Sequence, residues 1–283
     1  MNPKPAALTI AYQGAPGAFS EEAARAFAGD NAPLLPCASF ADVFDALAGG
    51  LADRAAVPIE NTLAGTVRDV ATGLAARDVR IEAETRVRVS HALVAPPGVT
   101  LARLRRVRSH PVALQQCERF FREHPEIEPV AAFDTAGAVA EVVRAARGDE
   151  AALAAERAAW LHGGVVLARA LEDDPANWTR FLLLARPGEA AAPPAGGLHK
   201  LALLFRTAHR PGALWHCLGV FAERALDLTR IESHPVIGSP FEYEFMVEVV
   251  GPGDSPALDA AVAALRGHCS HVRALGRYLP AGG

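Results

Sequence analysis

Over the first 188 residues, short apolar runs alternate with stretches whose apolar side chains recur every three or four positions. Leu8–Gln13 reads as a strand, and Gly14-Ala-Pro-Gly17 reads as a turn. Ser20 is then a candidate cap for a helix whose first turn carries Glu21 and Glu22, a favourable place for acids. Ala55–Ile59 is a second short strand. The stretch Leu63–Ala76 follows as a helix, with Val67, Val70 and Leu74 on one face. Val107–Ser109 ends a strand, and Pro111 opens a helix with Leu114, Cys117 and Phe121 on one stripe. Val130–Phe133 leads through Asp134 and Thr135 into a helix bearing Val139, Val142 and Val143. The spacing predicts a further helix over Glu150–Leu161, stopped by Gly163-Gly164, then strands at Val165–Ala168 and Phe181–Ala185. Strands alternating with helices argue for an α/β architecture. Polar residues gather at the strand ends, where open α/β sheets bind ligands.

The pattern changes at RPGEAAAPPAGGL, residues 186–198, which reads as a linker. Beyond it come a strand at Lys200–Thr207 and a helix opened by Pro211-Gly212 with Leu214, Leu218 and Phe221. A strand at Leu226–Ser233 follows. Phe241, Tyr243, Phe245, Val247 and Val249 then alternate with Glu242, Glu244 and Glu248, which predicts a sheet with one face in water. A helix near Ala257–Arg266 and a strand near His271–Leu279 complete the order βαββαβ, a ferredoxin-like arrangement.

A chain of 283 residues carries about two domains and needs no disulfide staples. The formal charge of −4 and the lack of a basic, aromatic-laced stripe argue against nucleic-acid binding. Cys37, Cys117, Cys217 and Cys269 are far apart, so neither a zinc site nor a disulfide framework is expected. No H-E-x-x-H occurs among the histidines, and no metal is predicted. The Gly14–Gly17 turn lacks both the Walker lysine and G-x-G-x-x-G. The N-terminal apolar run is too short for a signal core, and no stretch reaches the ~18 apolar residues of a membrane span. A cytoplasmic protein is expected.

Four polar clusters remain. VPIEN at 57–61 puts Glu60 and Asn61 just past a strand. SHPVALQQC at 109–117 puts Ser109 at a helix start and Gln115 and Gln116 inside it. Thr135 stands at another helix start, and NWTRF at 177–181 supplies Asn177, Thr179 and Arg180. Each alone has an ordinary explanation as a cap, a turn or an edge. Together, helix N-termini and amides converging on one place make an anion site. With one arginine among them, a small dicarboxylate held by N–H, hydroxyl and amide groups would fit.

The runs IAYQGAPGAFSEEAA, AAVPIENTLAGTV, VRSHPVALQQCERF, DTAGAVAEV, AALAAERAA and NWTRFLLL resemble the prephenate dehydratase family, in order, over residues 8–186. RPGALWHCLGVFAE and RIESHPV resemble the effector motifs of its companion, the ACT regulatory domain. The resemblance implies a catalytic domain over 1–188, similar to periplasmic binding proteins. Its lobes would be residues ~8–84 with 170–186, and ~85–169. A linker at 189–198 and a ferredoxin-like ACT domain at 199–283 would follow. It implies prephenate as substrate and no cofactor, since aromatisation drives the loss of CO2 and water. The catalytic residues would be Thr179, Arg180 and Glu60, and Asn61, Ser109, Gln116, Thr135 and Phe181 would bind substrate. Thr179 would act as hydrogen-bond donor or proton relay. Arg180 would hold the pyruvyl carboxylate or brace its loop, and Glu60 would supply a proton or orient Asn61. Phenylalanine would be the effector, bound at Gly212, Ala213, Leu214, Glu232, Ser233, His234 and Pro235, in a homodimer or homotetramer.

His234 stands where the family carries arginine, which differs in reach and charge, so feedback by phenylalanine is a weaker expectation than the fold. The match begins within the first ten residues, so no chorismate mutase segment is expected. Arogenate dehydratase and a non-catalytic two-lobed sensor are the alternatives. The intact TRF, PIEN and QQC motifs argue against the sensor.

Overall fold

The computed structural model describes residues 8–208, 210–236 and 242–282. Phe241 of the alternating stretch lies outside them. The described chain divides into two compact units, residues 8–70 with 85–181, and residues 71–84 with 182–282. Among the described residues no helix is long and apolar enough to cross a membrane. No cluster of His, Cys, Asp and Glu there is arranged to hold a metal ion.

The chain opens with β1 (Ile10–Gln13), α1 (Phe19–Ala28), β2 (Leu34–Cys37), α2 (Phe40–Ala48), β3 (Arg54–Asn61), β4 (Gly65–Thr66), α3 (Arg68–Ala76) and β5 (Arg80–Arg88). With β11 (Trp178–Ala185) these strands form a sheet of order β2-β1-β3-β11-β5, and β4 is hairpinned onto β3. β1 runs parallel to both β2 and β3. The Gly14–Gly17 turn needs glycine at its end. Gly17 has φ +94, and a Cβ there would come 2.7 Å from the Ala158 backbone.

The next stretch contains β6 (Ala92–Ala95), β7 (Arg106–Ser109), α4 (Pro111–Gln115), α5 (Glu118–Glu123), β8 (Glu128–Ala131), α6 (Thr135–Ala145), β9 (Glu150–Ala154), α7 (Glu156–His162) and β10 (Val165–Ala168). Its sheet has the order β10-β6-β9-β7-β8. Val139 and Val142 of α6 are buried among Val94, Ala152 and Ala158. Phe120 of α5 joins Leu93, Val107 and Leu153 in a second apolar cluster.

Several local expectations give way here. Ser20 does not cap α1: Ala18 is the cap, and Ser20 is buried inside the helix. The Glu21 carboxylate instead reaches back to the Gly17 N–H at 2.5 Å and pairs with Arg25. The helix predicted from Leu63 starts at Arg68, because residues 61–66 form the β3–β4 hairpin. The single helix after Pro111 is two. Asp173 caps the second by accepting the N–H groups of Glu118 and Arg119, each at 2.9 Å. Glu150–Leu161 is not one helix. All five residues of β9 are buried, in a strand flanked by β6 and β7. Alanine-rich helix propensity loses there to burial on both faces.

The C-terminal elements are β12 (Leu198–Thr207), α8 (Ala213–Ala222), β13 (Asp227–Pro235), β14 (Tyr243–Pro252), α9 (Ala257–Leu265) and β15 (Cys269–Tyr278). The antiparallel sheet order β13-β14-β12-β15 with two helices is the ferredoxin-like arrangement. Leu203, Phe205, Val247 and Val249 pack with Cys217, Val220, Phe221, Leu258 and Leu265 of α8 and α9.

The opposite face is not wet, contrary to the alternating pattern. Ala202, Leu204, Met246 and Glu248 are all at most 1% exposed. Residues 71–84 cover it. Arg273 caps the end of α3 by donating to the carbonyls of Leu74, Ala75 and Arg77. Gly276 lies so close to residue 81 that a Cβ would come 2.1 Å from the Ile81 carbonyl oxygen. Lys200 Nζ donates to both Glu84 oxygens at 2.8 and 2.9 Å and stands 3.6 Å from Glu248. The Ala281 N–H adds a bond to Glu84 at 2.8 Å. A buried charge of this kind is tolerated only while its partners remain. Lys200→Met leaves the two buried carboxylates without their ammonium. It is expected to lower unfolding stability by about 3–5 kcal/mol in urea denaturation, far beyond the effect of an exposed lysine substitution.

Candidate active site

Within the first unit, a cavity of about 610 Å³ is lined by residues of β1, β3, β4 and β11 and by helix and loop residues on both sides. Asn61 arrives from the end of β3, and Thr179 and Phe181 from alternate positions of β11. Gln116 stands between α4 and α5. The N-terminal ends of α1, α2 and α6 point their first residues, Phe19, Phe40 and Thr135, at it, and α4 adds His110 and Val112. Free N–H groups at such ends favour an anion by about 0.3–1 kcal/mol per helix. Among the described lining residues there is no lysine or arginine. Burial pushes the imidazoles of His91 and His110 below the usual histidine range, so both are neutral at pH 7. Two carboxylates, Asp69 and Asp134, also line the cavity, so an anion there would rest on the helix ends and neutral polar side chains.

The polar network is tight. Asn61 Oδ1 accepts the N–H groups of Leu63 and Ala64 at 2.9 and 2.8 Å. Its Nδ2 faces Asn177 Oδ1 at 2.7 Å, Thr179 Oγ1 at 3.0 Å and the Trp178 carbonyl at 3.1 Å. Gln116 Nε2 lies 3.4 Å from Asn61 Oδ1, and Gln116 Oε1 lies 3.0 Å from His91 Nε2. Thr179 is 9% exposed.

Asn61, Gln116, Thr135, Thr179 and Phe181 thus meet at one cavity. Three other expected residues do not. Ser109 is fully buried, and its hydroxyl donates to the Leu153 carbonyl at 2.6 Å. The helix cap is His110, whose Nδ1 faces the Val112 N–H at 3.3 Å. Arg180 points away from Thr179 and Phe181, as strand alternation requires. Its Nε donates to Glu60 at 2.7 Å, and neither residue is among the described lining.

The sequence pattern does not single out His91, although it is 2% exposed and lines the cavity. Ser39 and Phe40 were also hidden, because β2 and α2 were not predicted. The S-x-x-D capping box that Ser39 forms with Asp42 was the available signal.

In the second unit, Gly212, Ala213 and Leu214 help line a cavity of about 500 Å³, with Tyr243 and Phe245. Gly212 has φ +80 and stands at the cap of α8. Glu232, Ser233, His234 and Pro235 lie on β13 and are not among the described lining. Among the described residues β14 links them to it, Ser233 pairing with Phe245 and Pro235 with Tyr243. His234 Nε2 is 3.5 Å from Glu232 Oε2.

Comparison with known proteins agrees in one direction. Residues 10–189 match the family described as prephenate dehydratase. A bifunctional N-acyl-homoserine lactone acylase/prephenate dehydratase of Komagataeibacter europaeus is 38% identical over 269 residues, covering 95% of each chain. Arogenate dehydratase/prephenate dehydratase 2 of Arabidopsis thaliana is 37% identical over 280 residues, 96% of this chain and 72% of that protein. The crystal structure of prephenate dehydratase in complex with L-Phe from Arthrobacter aurescens has a TM-score of 0.88 and 33% identity, over 97% of this chain and 90% of that one. By its profile, its relatives and its fold, this chain belongs to the prephenate dehydratase family.

Proposed function

We propose that this chain catalyses the decarboxylating dehydration of prephenate to phenylpyruvate, a step of phenylalanine biosynthesis in the cytoplasm. The observation that carries the reading is the Thr179 hydroxyl. It lines the cavity, accepts from Asn61, and has no acceptor of its own among the described residues. Its hydrogen is therefore available to a ligand. In the reaction the bond to the ring carboxylate breaks and its electron pair enters the ring. The carbon–oxygen bond at the far side breaks in turn. The leaving hydroxide takes up one proton and departs as water beside CO2. Thr179 donates a hydrogen bond to that oxygen as negative charge grows on it. The helix ends of α1, α2 and α6 hold the substrate's carboxylates. Arg180 and Glu60 brace the strand ends that carry Thr179 and Asn61. No step requires a metal or an organic cofactor.

In this reading residues 1–188 are the catalytic domain and 199–283 the regulatory one. Phenylalanine acts as effector at the cavity bounded by Gly212–Leu214, in a homodimer or homotetramer. The relative crystallised with L-Phe supports that assignment. Arogenate is the second candidate substrate, favoured by the dual name of the Arabidopsis relative. Its amino group replaces the keto oxygen of prephenate.

Ultraviolet absorbance of phenylpyruvate after mixing with prephenate tests the activity. Parallel reactions with arogenate, read as phenylalanine formed, rank the two substrates. No product from either would sink the reading. Thr179→Ala is expected to cut kcat by at least ~10²-fold with an unchanged circular dichroism spectrum, and Thr179→Ser should recover most of it. Ser109→Ala serves as the contrast. It should cost about 1 kcal/mol of stability while kcat and KM stay at wild-type values, because its hydroxyl serves Leu153.

A further inference from the structure

The hydrogen-bond network fixes a direction that runs from Asn61 to His91. Asn61 Oδ1 is identified as the oxygen because two backbone N–H groups point at it. Its Nδ2 is identified by the Trp178 carbonyl, which can only accept. Gln116 must then present Nε2 to Asn61, since the reverse would press two acceptor oxygens together. That leaves Gln116 Oε1, an acceptor, facing His91 Nε2 at 3.0 Å. His91 can satisfy it only by carrying its proton on Nε2.

The imidazole is held for this task. Its own backbone N–H donates to Glu172 Oε2 at 2.9 Å, and its carbonyl accepts from Leu171 at 3.0 Å. The Phe19 ring stands edge-on to it, centroids 5.7 Å apart. His91 Nδ1 is buried with no partner, so nothing there competes for the proton. Deleting the His91 donor would release Gln116 to turn over. Asn61, held by backbone groups, would stay in place, and Gln116 could turn an acceptor oxygen toward Asn61 Oδ1 and the cavity, where it now presents a donor.

Resting on the dehydratase reading above, we propose that His91 is a positioning residue for the reaction. As the neutral tautomer protonated at Nε2, it orients Gln116. That keeps the Gln116 amide a donor on the side of Asn61 and the cavity, beside the Thr179 hydroxyl. His91 does not have to touch the reacting atoms for this.

Two amide substitutions of similar polarity separate the idea from simple packing. Glutamine carries its amide nitrogen to about the place of imidazole Nε2, whereas asparagine is too short. His91→Gln is expected to keep kcat within about tenfold of wild type, and His91→Asn to lose a further ~10- to 100-fold, with KM changed by less than about threefold in both. Equal kcat in the two variants, or a loss confined to KM, would overturn the proposal. The wild-type chain gives a check that does not depend on either variant folding. Long-range proton–nitrogen correlation of the His91 ring at pH 7 should show a bare Nδ1 and a protonated Nε2. A ring protonated on Nδ1 would overturn it too. Wild-type chain that makes no product would sink the substrate assignment instead, while the tautomer remained readable.

Discussion

The side-chain amide of Asn61 is the contact on which the site depends. Its oxygen is spent on the N–H groups of Leu63 and Ala64, in the hairpin that Gly65 closes with φ +77. The hairpin therefore decides which way the amide faces before any ligand arrives. Neighbouring bonds lock the same place: the Thr62 N–H donates to the Trp178 carbonyl at 2.9 Å, and its hydroxyl donates to the Ala176 carbonyl at 2.8 Å. These tie the end of β3 to the start of β11, so Thr179 falls beside Asn61 with its side chain in the cavity. A buried polar network held in one arrangement gives rigidity without any fixed charge, even with His91 Nδ1 and Asn177 Nδ2 left without partners.

Much of this was legible in the residues. TRF, PIEN and QQC supplied the motifs, and strand alternation alone places Thr179 and Phe181 on one face with Arg180 on the other. What could not be read was which polar side chains are absorbed by the scaffold. Ser109 looks like a cap until the Leu153 carbonyl, 44 positions away, is seen to take its hydroxyl. Likewise the Glu150–Ala154 run carries no local sign that it lies between β6 and β7. Its alanines suit a helix equally well, and only non-local burial decides. The alternating acids of β14 misled for the same reason. Glu244 and Glu248 face Arg206 and Lys200, not water.

The two units use buried polarity in opposite ways. In the second, Lys200 with Glu84 and Glu248 is a charged cluster that holds residues 84, 200 and 248 together and has no substrate to release. In the first, Thr179 is bonded to the Asn61 amide, which leads through Gln116 to an imidazole. A decarboxylation explains that choice. The reacting carboxylate must surrender its charge to become CO2, so a guanidinium or ammonium on the cavity wall would bind the ground state more strongly than the transition state. Arg180 lies on the reverse of the strand, bonded to Glu60 at 2.7 Å, and is not among the described lining. Helix ends hold an anion more gently, by about 0.3–1 kcal/mol each. A hydroxyl whose hydrogen is free strengthens its bond as the leaving oxygen gains charge, and so favours the transition state over the substrate.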